Sequence, residues 1–335
     1  MAPKMMENIK RAGTLLKSRA LGPARIHNHY DIGLQDPQAE VAVWLCGPDG
    51  NIRDVTYLNV MACAHPFTIG IGLEDNCIVA AKRARLSLQF HERTGRKQLL
   101  GEIGLVLKDC ILVTGGQLFL FAARNCRNYC LPKLQLWAYD LRCAYEQWNS
   151  TKRGNSSQIL PTRFAARCLS TFYTCPRPIV LVSVVDGNVC NIFPMDLIGP
   201  VSAENFCLAL HNTSSAVPLL ERSRRVALSS IPIEQKSLAY SLGKNHSGNP
   251  FSQNQIPFGV VDSVRFKLPV PRFSLRVREM QIVTVRPMGS HKLFLCNMVE
   301  DHSYASGLQL CVIHGLYQVW RQQRQKGILM PSVRE

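Results

Sequence analysis

The feature that most constrains this chain is a pattern of strands and turns that occurs twice. One copy opens with VAVWLCGPDGN from residue 41, and the other opens with IVLVSVVDGN from residue 179. Further similar pairs follow in the same order: Phe67–Ile69 with Phe206–Leu208, Lys82–Arg85 with Glu221–Arg224, Leu118–Leu120 with Leu293–Leu295, Leu134–Leu136 with Leu308–Leu310, and Tyr145–Trp148 with Tyr317–Trp320. A repeat of this length indicates a duplicated domain rather than a solenoid. The alternative is chance similarity between β-rich segments, and the shared order argues against it.

The second copy carries the more informative polar residues. Its first run, Ile179–Val185, is rich in β-branched residues without a helical period, which predicts a buried strand that ends at the turn Asp186-Gly187-Asn188. A second predicted strand, Phe206–His211, leads into Thr213-Ser214-Ser215 at the start of a helix. Free N–H groups and the positive end of the helix dipole suit a phosphate there. A plain helix N-cap is the alternative interpretation.

The order of these features resembles the flavin-reductase-like family, whose fold is the FMN-binding split barrel. The family motif has Asn, two residues, Pro, one residue and then a hydroxyl residue. The corresponding positions here are Asn191, Ile192, Phe193, Pro194, Met195 and Asp196. The resemblance implies that this segment borders the flavin ring. Asp196 departs from the family pattern, and a carboxylate there would disfavour an anionic reduced flavin.

The resemblance also assigns residues to the two ends of the flavin. It implies that Thr213, with Ser214 and Ser215, binds the flavin phosphate, and that Arg222 and Arg224 would add charge-assisted bonds. For the two arginines, a solvated helix face is the alternative.

The family's Gly-Asp-His motif corresponds to Gly289, Ser290 and His291. The resemblance places His291 on the flavin and nicotinamide side as the candidate catalytic residue. It would position the nicotinamide or donate a hydrogen bond to reduced flavin, and a near-neutral imidazole also suits proton transfer. A structural histidine at the start of a strand is the alternative.

The two copies differ at the positions that the resemblance singles out. The first has Glu74-Asp75-Asn76 opposite Thr213-Ser214-Ser215, and two carboxylates would repel a phosphate. It also has Gly116 opposite His291. Since the family works as a dimer with flavin at the subunit interface, the resemblance implies a pseudo-dimer within one chain. Its degenerate first copy would cover a single flavin site in the second.

The predicted domain organisation follows from the repeat. A basic leading helix and the segment after it occupy residues 1–35, and whether residues 1–25 are a targeting segment stays open. The first barrel covers residues 36–150, a polar linker covers 151–161, and the second barrel covers 162–335. An insertion rich in Gly, Asn, Ser and Pro, residues 238–260, has no counterpart in the first copy and is predicted to be a loop near the flavin.

Composition narrows the functional classes. The formal charge of +16 comes from scattered basic residues, which are typical of solvated faces, so nucleic-acid binding is disfavoured. Thirteen cysteines without a secretory signal pattern predict reduced thiols and a cytoplasmic protein, and their spacing does not predict a metal site. No apolar run reaches the roughly 20 residues of a membrane helix.

The sequence therefore predicts a mainly β protein of two fused FMN-binding split barrels with peripheral helices. The resemblance implies an NAD(P)H-dependent flavin oxidoreductase that binds FMN or FAD in its second barrel. An oxygenase or another electron acceptor would be its partner. Two alternatives stay open: a non-catalytic flavin- or haem-binding accessory protein, and a basic interaction scaffold.

Overall fold

A computed structural model describes residues 26, 28–48, 50–73, 85–152, 162–248, 250–252 and 255–324. The predicted leading helix within residues 1–25, the first-copy residues Glu74-Asp75-Asn76 and most of the predicted linker lie outside them. The fold is mainly β, as the sequence predicts. Within the described ranges, no helix combines the length and apolarity needed to cross a membrane.

In the described part of the first half there are eight strands and one long helix. These are β1 Tyr30–Leu34, β2 Val41–Gly47, β3 Gly50–Asp54, β4 Asn59–Cys63, β5 Thr68–Leu73, β6 Leu86–Glu92, β7 Leu99–Val113, β8 Gly116–Asn128 and α1 Lys133–Lys152.

The second half contains the remaining strands and shorter helices. These are α2 Arg163–Phe172, β9 Arg177–Pro178, β10 Val180–Asp186, β11 Val189–Met195, β12 Ile198–Pro200, β13 Asn205–His211, α3 Ala216–Ser223, β14 Arg225–Ser230, α4 Lys236–Ser241, β15 Phe251–Ser252, β16 Val260–Asp262, β17 Pro269–Pro271, β18 Arg276–Met288, β19 His291–Ser303, β20 Gln309–Ile313 and α5 Gly315–Arg324. Two short 3₁₀ helices, Ile233–Gln235 and Leu242–His246, flank α4.

The main sheets of the two halves have the same topology. The first sheet has the order β3-β2-β6-β7-β8-β5-β4, and the second has β11-β10-β14-β18-β19-β13-β12 with β15 added at its β11 edge. If β15 is left out and the strands of each sheet are numbered from its own first strand, both orders read 2-1-5-6-7-4-3. The spatial arrangement therefore repeats along with the sequence pattern.

One part of the sequence alignment is wrong in the structure. The repeat pairs Leu134–Leu136 with Leu308–Leu310, but the first segment lies in the first turn of α1, whereas β20 begins at Gln309. A three-residue Leu-Gln-Leu pattern fits one face of a strand and also the start of a helix. The twenty-residue helical context decides between them here.

A small third sheet joins the two ends of the fold. Its order is β1-β20-β9, so β20 near the end of the chain pairs with β1 at the start of the first half. The largest apolar core, which lies under the first sheet, accordingly includes Phe172 from α2 and Tyr317 and Trp320 from α5. The first half completes its core with elements of the second.

The two main sheets meet through equivalent strands. A buried apolar cluster joins Val60 and Leu118 of the first half to Cys207 and Leu293 of the second, and β4 packs on β12, β13 and β19. An interface that uses the same elements from both sides is the arrangement of a twofold dimer. Here it occurs within one chain.

A buried arginine also crosses the interface. Arg177 of β9 donates from Nη1 to the backbone oxygen of Asn59 at 3.0 Å and from Nη2 to the side-chain oxygen of Asn59. Its guanidinium carbon lies 3.9 Å from the centre of the Phe172 ring. Burial lowers the pKa of Arg177 from its ordinary value.

We expect Arg177→Met to lower the free energy of unfolding by about 1–3 kcal/mol, because two buried oxygens of Asn59 lose their donor. Chemical denaturation of both proteins measures the difference. The control is Arg276→Met. The Arg276 side chain is 45% exposed in its ion pair with Asp301, so this variant should lower the free energy of unfolding by less than about 1 kcal/mol. Equal losses for the two variants would contradict the prediction.

A candidate flavin site at the junction of the two halves

Two predicted site segments of the second half come together at the interface. Asn212 donates from its side chain to the oxygen of Gly289 at 2.8 Å and from its backbone to that of Ser290 at 3.0 Å. These bonds place Thr213, at the end of β13, beside the turn that begins β19 at His291. We call this group, with the first-half loop Cys63–Pro66 that covers it, the second-half junction.

The first-half loop reaches this turn through its backbone. Ser290 N–H donates to the oxygen of His65 at 2.9 Å. Gly289 has a φ of +57°, and a Cβ at this position would lie 2.3 Å from the same oxygen. Glycine at 289 therefore permits both the turn and the close approach of the two halves.

His291 is buried at the centre of the second-half junction. Its Nδ1 lies 2.8 Å from the Ser290 hydroxyl and 3.7 Å from the sulfur of Cys63, and its ring centre lies 5.3 Å from that of His211. Burial, with His211 and His65 nearby, lowers the pKa of His291 to about 4. The imidazole is therefore neutral at physiological pH, which favours a hydrogen-bonding role over proton donation.

The insertion that was predicted to be a loop contains helix α4 and a 3₁₀ helix that docks on β11. Asn245 donates from its side chain to the oxygen of Ile192 at 2.7 Å, and His246 Nε2 donates to the oxygen of Pro194 at 2.7 Å. The oxygen of Asn245 accepts from the side chain of Asn191 at 3.1 Å. Asn245 and His246, which we call the 245–246 bridge, thus cover the segment that was predicted to border the flavin ring.

The same bridge reaches the start of α3. The N–H of Ser215 donates to the oxygen of His246 at 2.9 Å, and its hydroxyl donates to that of Asn245 at 3.2 Å. Thr213, Ser214, Ala216 and Val217 also direct their N–H groups to acceptors within the chain. The amides that were predicted to hold a phosphate are already bonded.

The rest of the Asn191–Asp196 segment lies mostly in β11. Asn191, Ile192, Phe193 and Met195 are buried. Asp196, just beyond the strand, accepts a hydrogen bond from the Tyr173 hydroxyl at 2.7 Å. That bond gives the unexpected carboxylate a partner within the chain.

The structure does not bring the two predicted arginines to this group. Arg222 pairs with Asp186 at 2.6 Å, and Arg224 follows the C-terminus of α3 with Nε bonded to the oxygen of Glu221. Both lie at the opposite end of α3 from Ser215. A role in binding the phosphate would require them to leave these partners.

Two residues of the candidate site each leave a buried polar atom unbonded. Nε2 of His65 and Oδ1 of Asn191 are each buried without a hydrogen-bond partner in the described parts of the chain. Unpaired buried polar atoms are costly, so a ligand that bonds them is favoured. A bound FMN or FAD would be held at the second-half junction by His65, Thr213, Ser290 and His291. The Ser215 amide and the backbone oxygens of Ile192 and Pro194 are not available to a flavin, because they already form hydrogen bonds with the 245–246 bridge.

Sequence reasoning missed the contributions of Cys63, His65, Asn245 and His246. The insertion was expected near the flavin, but nothing in its composition indicated which of its residues bond β11. For Cys63 and His65, the available signal was the repeat, which aligns their loop with the loop between β12 and β13 of the second half. Among the residues that the structure covers, no group of three or more His, Cys, Asp or Glu side chains is arranged for a metal ion.

The matching junction on the other side of the interface contains a cavity of about 340 Å³. It is built from the end of β5, the β7–β8 turn and the second-half loop between β12 and β13, which correspond to the elements of the second-half junction. Its lining is Arg53, Leu58, Gly72, Leu73, Thr114, Gly115, Val201, Ser202, Ala203 and Glu204. The half that was predicted to lack a site therefore has open space at the related position.

Two similar sheets that meet through equivalent strands, with a polar junction on either side, define a mainly β pseudo-dimer with its candidate sites at the interface. Residues 172–319 match the family model of the flavin reductase like domain. Over these residues, the second half of the chain is similar to that family.

Solved structures give further similarity. An FMN-binding protein from Thermus thermophilus with bound p-hydroxybenzaldehyde is 24% identical, with 41% of this chain and 81% of that chain covered and a TM-score of 0.37. An NADH:FAD oxidoreductase of Streptomyces globisporus is 15% identical, with 48% and 94% covered and a TM-score of 0.41. The styrene monooxygenase flavin reductase of Pseudomonas putida S12 is 13% identical, with 44% and 92% covered and a TM-score of 0.36. No curated protein matches the chain.

Proposed function

We propose that the chain is a flavin-dependent oxidoreductase that takes hydride from NADH or NADPH at the second-half junction. The observation that carries this proposal is the convergence of Thr213, Ser290 and His291 within the domain that matches the family, next to the first-half loop that contains His65 and its unpaired Nε2. A bound flavin supplies a ring nitrogen, N5, that accepts hydride. We propose that the first half arose by duplication and covers this site.

Each residue of the junction has a separate role in this proposal. Thr213 and the turn at Ser290 hold the polar end of the ligand, and His65 supplies a bond from the first half. His291, neutral and oriented by the Ser290 hydroxyl, positions the nicotinamide through a hydrogen bond. The apolar interface between the halves excludes water on one side.

An anaerobic titration tests the activity. We expect the absorbance of added FMN or FAD to shift on binding, near one flavin per chain, and to bleach when NADH or NADPH is added. His291→Ala should lower kcat/KM for the nicotinamide about tenfold to a hundredfold, the loss expected for one hydrogen bond in a buried site. Since His291 stays neutral above a pKa of about 4, its contribution should not change between pH 6 and 8.

The control for this test is His302→Ala, an exposed histidine near the other end of the same strand. Unchanged kinetics in His291→Ala would contradict the assignment of His291. If NADH or NADPH does not bleach the flavin in the unmodified chain, the proposed oxidoreductase activity is contradicted.

A second candidate function is a flavin-binding accessory protein without turnover. It is favoured by the 245–246 bridge, which uses the amides and carbonyls predicted to hold the phosphate and ring. Flavin that binds without bleaching supports this candidate. A chain that binds no flavin would instead support the basic interaction scaffold. Neither of these two functions requires an oxygenase or another electron acceptor as a partner.

A further inference from the structure

Helix α1 has one anchored face and one exposed face. On the anchored side, the Tyr139 hydroxyl donates to Asn28 at 2.9 Å and lies 3.2 Å from His314 Nε2. Arg142 donates to the oxygen of Ile26 at 2.6 Å, and Asp140 pairs with Arg167 of α2. These contacts fix which side of α1 faces away from the protein.

The exposed face carries large apolar side chains. Leu134, Trp137, Leu141, Tyr145 and Trp148 are exposed by 59%, 57%, 46%, 61% and 54%. Their spacing of three, four, four and three residues places them along one stripe of the helix. A continuous stripe of this size on a soluble protein indicates an interaction surface rather than scattered exposure.

The related helix of the second half shows how such a face packs when it is buried. Tyr317 and Trp320 of α5 occupy the positions that the repeat pairs with Tyr145 and Trp148. They are buried against the first-half core, with ring centres 5.5 Å apart. The corresponding pair on α1 lies 6.1 Å apart at the surface.

The stripe is symmetric about Leu141. Counting outward in both directions, Ala138 and Ala144 lie three residues away, Trp137 and Tyr145 four, and Leu134 and Trp148 seven. An identical helix that runs antiparallel would therefore set Leu141 against Leu141, Trp137 against Tyr145 and Leu134 against Trp148. The two alanines leave room for the large side chains to interdigitate.

We propose that this face binds a second copy of the same chain through an antiparallel α1–α1 contact centred on Leu141. A twofold interface must be self-complementary, and the symmetric spacing provides that property. An unrelated partner, or residues 1–25 of the same chain, would not need it.

The area and charge of the helix are consistent with self-association. A fully covered aromatic side chain buries about 150–250 Å², so the five half-exposed side chains offer roughly 500 Å² per copy. Two copies give roughly 1,000 Å², and the apolar stems of flanking residues bring this toward the ~1,200 Å² of small stable interfaces. Three basic residues (Lys133, Arg142, Lys152) and two acidic residues (Asp140, Glu146) leave α1 a net charge of +1, against +16 for the chain.

Sedimentation velocity of the full chain from 0.1 to 100 µM tests the proposal. We expect a reversible dimer of about 75 kDa, twice the 37.6 kDa of the chain. Leu141→Glu places two carboxylates opposite each other at the axis and should raise the dimer Kd at least a hundredfold. The control is Leu112→Glu, which adds the same charge at a leucine that is 77% exposed at the tip of the β7–β8 hairpin, and should leave the Kd unchanged.

Mixing Leu141→Glu with Leu141→Lys gives the sharper readout. Only a contact that sets residue 141 against itself predicts that the mixture forms a heterodimer while each variant alone stays monomeric. This rescue also shows that both variants are folded. A monomeric full chain at 100 µM would overturn the proposal and favour cover by residues 1–25 or by another protein. A dimer that survives Leu141→Glu would overturn it in favour of another face.

Discussion

Gly72→Ala is expected to destabilise the protein by more than about 3 kcal/mol, at the upper end of the cost of overpacking a core. Gly72 lies in β5 at the interface, and a Cβ there would fall 1.8 Å from the backbone oxygen of Val201 in the other half. Because the neighbour is backbone, no side-chain rotation relieves the clash. The two halves must separate or β5 must shift. Thermal and chemical unfolding measure the loss.

The matched control is Gly70→Ala, two residues earlier on the same face of the same strand. A Cβ at Gly70 would meet the side chains of Leu118 and Val60 at 3.0 and 3.2 Å, which are able to move by a few tenths of an ångström. We expect this variant to lose under about 1 kcal/mol. If both variants unfold alike, the close contact between the halves is not what makes Gly72 necessary.

Thr213→Glu is expected to raise the Kd for FMN at least a hundredfold while leaving the fold intact. Thr213 is exposed, and its hydroxyl lies 2.8 Å from Nδ1 of His211 at the mouth of the second-half junction. Two like charges about 4 Å apart repel by about 4 kcal/mol at the effective dielectric of a protein surface. Quenching of flavin fluorescence during titration measures the change.

Two controls separate the possible sites. Thr213→Val removes the hydroxyl without adding charge and should cost tenfold or less. Ala203→Trp fills the cavity of about 340 Å³ at the first-half junction and should leave FMN affinity unchanged. If Thr213→Glu keeps its flavin and Ala203→Trp loses it, the ligand binds in the first half and our assignment of the site is wrong.

Much of the fold could be predicted from the sequence because local patterns determine it. The β-branched run before Asp186-Gly187-Asn188 forms β10, and β11 returns after that turn. The alternating residues from Arg276 form β18, with Arg276 and Arg278 both bonded to Asp301. These elements depend on neighbours within a few residues, so composition and period carry the information.

The candidate site was harder to predict because distant segments decide its contacts. The start of α3 has the side chains of a phosphate site, yet the Ser215 amide bonds to His246, which lies about thirty positions later in the chain. Arg222 and Arg224 are close to Thr213 in sequence but lie at the far end of an eight-residue helix. The Cys63–Pro66 loop enters the junction from the other half. No local pattern reports such pairings.

The pairing of β1 with β20 has a consequence for synthesis on the ribosome. The first half emerges early, but its core needs Tyr317 and Trp320, and β1 needs a strand that begins at Gln309. In a nascent chain, β1 and the first-half core therefore stay incomplete until residues 309–320 have emerged. Its apolar first half would meanwhile be a natural client for chaperones.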